Sequence, residues 1–143
     1  MDIFEAYEMS HDALREGVWA ELVLKGERIG AIRVKPSDAE LNPEYRKALA
    51  SVATAVIAIK KEKGIEAVAN ETDALMIATA ANTILTDWEL YETKDGKEMP
   101  IKFSPKKAIE LMTKLPKLFK AVDQAAKQWT KFRQKEADEA VKT

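Results

Sequence analysis

The sequence predicts an α+β fold, mostly helical, in which a small N-terminal β-hairpin precedes about four helices. Three observations carry this expectation. Between Val18 and Pro36 apolar residues fall at alternate positions, the period of a half-buried strand. From Asn42 onward they recur at spacings of three and four, the period of a helix face. Two cap-then-proline pairs, Asn42-Pro43 and Ser104-Pro105, mark helix starts, because the cap oxygen takes a free amide and proline has no amide hydrogen to lose. No proline- or serine-rich linker divides the 143 residues, so residues 1–143 read as a single domain able to bury one modest core.

Taken in order, residues 2–15 suggest a short helix with Ile3, Phe4, Tyr7, Ala13 and Leu14 as its apolar members, ended by Gly17. Val18, Ala20, Leu22 and Leu24 then alternate with Trp19, Glu21, Val23 and Lys25, and Ile29 to Val34 gives a second β-rich run. With Lys25-Gly26-Glu27-Arg28 as the turn, the two runs form a hairpin, and the Trp19 ring is expected in the core. Asn42-Pro43 opens a helix whose stripe is Tyr45, Leu49, Val52, Val56 and Ile59; Lys60, Lys61 and Lys63 suit its negative end and Gly64 stops it. Asn70-Glu71-Thr72-Asp73 resembles another cap, followed by an alanine-dense stripe from Ala74 to Leu85, with Trp88 near the helix end. Asp95-Gly96 is the strongest turn dipeptide, and its flanks, Trp88–Thr93 and Met99–Phe103, suit a second hairpin or an ordered loop. Ser104-Pro105 starts a helix through Ala108, Ile109, Leu111 and Met112 that bends at Pro116. Beyond it a long basic helix carries Leu118, Val122, Ala125, Trp129 and Phe132, and the polar tail over 136–143 is expected to fray.

Composition narrows the chemistry. Without cysteine there is no disulfide framework, thiolate metal site or cysteine nucleophile. His11 is the only imidazole and has no partner at metal-ligand spacing. Ser10, Ser37, Ser51 and Ser104 lie in no nucleophile elbow, and the five glycines form no phosphate-binding pattern. The expectation is therefore a protein that is not an enzyme and uses no metal or cofactor. The first residues lack the features of a signal peptide and no apolar run is long enough to span a membrane, which points to a soluble intracellular protein without a membrane partner.

The net charge of -1 hides an asymmetry. Residues 1–93 hold 10 Lys/Arg against 17 Asp/Glu, and residues 94–143 hold 13 against 7. Opposite halves can attract within one molecule or head to tail between copies, or serve simply as solvated faces. The basic part lacks the interleaved aromatics and glycines of a single-strand reader, so no nucleic-acid partner is expected. Large aromatics supply most of a small core, yet Trp129 and Phe132, flanked by Lys127, Lys131 and Arg133, also have the make-up of a helix-in-groove contact. These five residues are the candidate partner-binding set, against the alternative of ordinary core packing.

One stretch carries a resemblance. Asp87-Trp88, Asp95-Gly96, Pro100, Phe103-Ser104-Pro105 and Leu115-Pro116-Lys117-Leu118-Phe119 follow one another in an order similar to the tail assembly chaperones of long-tailed bacteriophages and prophages. Gly17 with Trp19, and Asn42, Pro43 and Tyr45, extend the likeness to roughly residues 16–135, while Glu89-Leu90 departs from the small residue and glycine or valine usual after the tryptophan. The resemblance implies a non-enzymatic helper in the host cytoplasm, absent from the mature virion. Such a helper binds and solubilises the tape-measure protein and helps recruit tail-tube subunits. A structural tail or head–tail junction protein retained in the virion is the alternative, and a small nucleic-acid-binding regulator the third.

Overall fold

The computed structural model describes residues 1–142. A three-stranded antiparallel sheet in the order β1-β2-β3 carries helices on one face, and a separate two-stranded hairpin, β4-β5, stands beside it. The α+β, mostly helical architecture with an N-terminal hairpin and a later second hairpin is the one the sequence predicts.

The stretch expected as one N-terminal helix is two: α1, Ile3–Tyr7, and α2, His11–Glu16, capped by Asp2 and Ser10. The break follows from pairing with a distant segment. Ser10 donates its amide to Phe132 O at 2.9 Å and Gln134 donates to Glu8 O at 2.7 Å, around an isolated antiparallel bridge between Met9 and Arg133.

β1, Val18–Leu24, and β2, Glu27–Val34, form the expected hairpin around Lys25-Gly26, both at positive φ as a two-residue primed turn requires. Trp19 corrects the sequence reading. Strand alternation gives the core side to Ala20, so the indole stays 43% exposed on the opposite face, with the Arg33 guanidinium 5.9 Å from its ring centroid. β2 is the central strand, and Gly30 is where β3 comes closest: a Cβ there would collide with the Glu89 carbonyl oxygen.

Asn42 caps α3, Pro43–Lys63, by accepting from Tyr45 N at 3.2 Å. Its side-chain nitrogen donates to Pro36 O at 3.0 Å and Thr83 O at 2.9 Å, so one fully buried amide fastens the loop after β2 and the end of α4 to a helix start. The second long helix, α4, runs from Ile65 to Thr83 rather than from a cap at Asn70. Pairing with α3 across Gly64 extends it backward over residues whose local signals favour a later start. From residue 43 through 76 none is buried, so α3 and the first half of α4 form a projecting arm, rooted where Ile77, Ala80 and Ala81 enter the core.

At its other end α4 stops at Thr83, and Leu85–Glu89 forms β3 on the free edge of β2, correcting the helical reading of Leu85 and Trp88. Trp88 is buried, donates Nε1–H to Ile101 O at 2.7 Å and meets Phe103 edge-on at 5.0 Å. Asp95-Gly96 turns β4, Tyr91–Lys94, into β5, Lys97–Pro100. Ser104 accepts from Lys107 N to cap α5, Pro105–Lys114; Leu115 is the joint, and Pro116 opens α6, Pro116–Ala126, at the bend.

The long basic helix expected after Pro116 ends at Ala126. A short 3-10 turn, Trp129–Phe132, follows, and the tail expected to fray is α7, Gln134–Lys142. That helix is held at its start by Gln134 to Glu8 and by the Arg133–Glu136 ion pair; Thr143 lies outside the described residues. Ile32, Val34, Leu85, Trp88, Met112, Val122 and Phe132 lie in one cluster, so the core draws on the first hairpin, the end of α4, β3, α5, α6 and the 3-10 turn.

Candidate functional site

An open apolar groove lies where three separately built pieces meet. The first is the tip of the β1-β2 hairpin, which runs past the core. Pairing passes from Leu22↔Gly30 to Val23↔Arg28, leaving Ile29 as the extra residue of a β-bulge. Val23, Leu24 and Ile29 are thereby left at least half exposed. The second piece is Leu90-Tyr91 with Ile101, at the root of the β4-β5 hairpin. The third is the α5-α6 joint: Pro116 cannot extend α5, so Leu115 turns out at 48% exposure beside Leu118. The space enclosed is about 470 Å³.

Lys117 lines the groove, and Lys25 and Lys114 adjoin its lining residues Leu24 and Leu115 in sequence. None of the three lysines has an ion pair among the described residues. Charges of both signs border it, since the adjoining cavity that shares Ile29 and Tyr91 is lined by Glu27, Glu92 and Glu98; an exposed apolar surface of this kind can take an amphipathic segment, with burial supplying the attraction.

The candidate partner-binding residues are separated by the structure. Phe132 is fully buried in the core, while Trp129 is 40% exposed and stacks on Tyr7 at 6.1 Å with the rings 4° from parallel. The break after α6 causes this, since a continuous helix would have kept both rings on one face. Lys127 is held by Asp123 at 2.8 Å, and that hydrogen bond raises its pKa above the ordinary lysine value. Arg133 pairs with Glu136 and donates to Ala6 O at 3.4 Å, so it anchors α1 and α7. Lys131 is exposed and unpaired among the described residues. The five residues therefore do not make one docking face.

The residues of the resemblance build the scaffold. Trp88, Phe103, Ser104 and Pro105 fix the path into α5, Asp95-Gly96 and Pro100 shape the β4-β5 hairpin, and Asp87 accepts from Trp88 N at 2.8 Å. Leu115 and Pro116 do more, because they open the third wall of the groove. The other walls left a faint trace in the sequence. Val23 and Leu24 are adjacent and both apolar, which breaks the strand's alternation just where it leaves the core.

Elsewhere, His11 is exposed at the start of α2, and the neighbouring Ser10 Oγ accepts from Ala13 N as a cap. No group of three or more His, Cys, Asp or Glu is placed to hold a metal ion among the described residues. Among the same residues, no helix is long and apolar enough to cross a membrane.

A protein-family model described as YdaY prophage protein matches residues 41–143. No curated protein and no solved structure matches the chain.

Proposed function

The chain belongs to the YdaY prophage protein family, and on that footing we propose that it is a non-enzymatic tail assembly chaperone that needs no metal or cofactor. It holds an apolar helical segment of the tape-measure protein in solution, in the host cytoplasm, until tail-tube subunits take over. The observation that carries this reading is the open apolar groove between the first hairpin and the α5-α6 joint, with Lys117 in its lining. Holding a partner needs no reacting group. It needs apolar surface to bind the aggregating species and charge to keep the complex dissolved, and binding lowers the free population of that species by mass action. The order of motifs from Asp87 to Phe119 supports the same reading.

The test is co-expression with the tape-measure protein of the same prophage, scored by the partner's soluble fraction. Wild type is expected to raise that fraction, and Leu115→Asp with Val23→Asp to abolish the gain while the thermal midpoint holds. No gain with wild type, or full rescue by the folded double variant, rejects the reading. The protein should also be present in assembly intermediates and missing from purified virions. Stoichiometric retention in the particle would support a structural tail or head–tail junction component instead.

A further inference from the structure

We infer that the chain has a second folded state, a domain-swapped dimer. In it α3 and α4 run on through Gly64 as one helix, and the residues before Gly64 in each copy fold onto the residues after it in the other. The joint between the two long helices is a single residue, since α3 ends at Lys63 and α4 begins at Ile65. Gly64 reverses the chain with φ 86° and ψ 173°, a conformation that essentially only glycine adopts. No atom beyond its chain neighbours lies within 4 Å of where a Cβ would stand, so nothing packed against the joint holds it bent. The reversal also leaves polar groups unpaired. α4 starts without a side-chain cap, and the amides of Ile65, Glu66 and Ala67 have no hydrogen-bond partner among the described residues. One helix from Pro43 to Thr83, about 60 Å long, would pair them with the carbonyl oxygens of Lys61, Glu62 and Lys63.

A second copy is the occupant because the faces parted by straightening at Gly64 are already complementary. Opening separates α3 from α4 and β2 from β3. A second copy opened in the same way supplies each missing partner. α3 packs on α4, Lys63 pairs with Glu71, and the ladder from Ala31↔Glu89 to Val34↔Leu85 re-forms, all between chains. Exchange of identical contacts is a low-cost route to a dimer, and a short joint invites it. The geometry admits it too. Two antiparallel helices of this length put both joints at a two-fold axis and the two bodies at opposite ends. No residue from 43 to 76 is buried, so the arm projects clear of the body. Ile65, 70% exposed at the tip of the arm, then lies one residue from the axis, where the two tips abut. Against this stand a glycine inside a helix and the like charges of Glu62 and Glu66 four residues apart, so the balance is set by concentration. The exchange also divides the groove. Val23, Leu24 and Ile29 precede the joint while Leu90, Leu115 and Leu118 follow it, so each groove is built from two chains.

The exchanged dimer is independent of the chaperone reading and is tested on the isolated protein. Wild type refolded from denaturant at rising concentration should give a growing fraction with twice the 16.0 kDa of one chain. Dilution should leave that fraction intact, because return requires the bodies to unfold. Gly64→Ala disfavours the reversed joint and favours the helix, so it should raise the ratio of dimer to single chain by more than about tenfold at one concentration. Inserting Gly-Gly-Ser after Gly64 relaxes the turn and should keep one chain at every concentration. Connectivity is read with Ala31→Cys and Glu89→Cys, which face each other on β2 and β3 in a chain with no other cysteine. After oxidation the dimer should run as two joined chains on a denaturing gel without reductant, and the single chain as one. Should Gly64→Ala fail to refold, wild type, the insertion and the disulfide pair decide alone. Refolding of wild type to one chain only at every concentration would overturn the inference. So would a dimer whose disulfides stay within each chain, or an insertion variant that dimerises as readily as wild type.

Discussion

At the scale of single residues, stability rests on a few polar atoms placed where water cannot reach. The Asn42 amide donates twice and accepts once while fully buried. Asn42→Asp keeps the cap acceptor but turns a charge toward two carbonyl oxygens, and should cost about 3 kcal/mol at neutral pH. Those carbonyls and burial raise the folded pKa of the introduced carboxyl above its unfolded value. The loss should therefore shrink as pH falls through the folded pKa, a trend that denaturant melts at several pH values will read. The tryptophans make a second contrast. Trp88→Ala opens a cavity and strands Ile101 O, for about 3–5 kcal/mol. Trp19→Ala removes a half-exposed ring and one cation–π contact, for about 1 kcal/mol. Equal losses for the two variants would contradict the placement of Trp19 outside the core.

At the scale of elements, the α3-α4 arm stands apart from the body. No residue from 43 to 76 is buried, whereas Ile77, Thr79, Ala80, Ala81 and Thr83 are, so protection along α4 should be graded. Native-state hydrogen exchange is expected to show the amides around Gly64 opening at low free energy and those of Ile77–Thr83 only near global unfolding. Uniform protection along α4 would mean that the arm is buttressed. The elements also show where local sequence signals suffice. Asn42-Pro43, Gly64, Asp95-Gly96 and Ser104-Pro105 each act within a few residues of backbone, and each marks a real boundary or turn. Asn70 failed as a cap and Leu85 failed as helix because the deciding contacts lie in α3 and β2, far away in sequence.

At the scale of the whole molecule, one core gathers residues from Ala20 to Phe132, so thermal unfolding should proceed in a single cooperative transition. Chelators should leave its midpoint where it is, because the proposed function calls for no metal; a lowered midpoint would contradict that. Calorimetry with and without chelator decides both points. The groove belongs to this scale too. Its walls come from residues 22–29, 90–101 and 111–121, brought together only once the sheet and the α5-α6 pair have packed.

By itself the sequence determined the α+β class, the first hairpin, the extent of α3, the turn at Asp95-Gly96 and the bend at Pro116, since each depends on residue type and short-range period. Tertiary structure decided the rest. It split the N-terminal helix by pairing Met9 with Arg133, and it drew Phe132 inward while leaving Trp129 outside. It turned Trp19 away from the core and set Leu24 and Leu115, distant in sequence, on the same groove. A periodic pattern states that a face must be covered, but only the completed packing specifies which faces are covered by this chain and which are left for another.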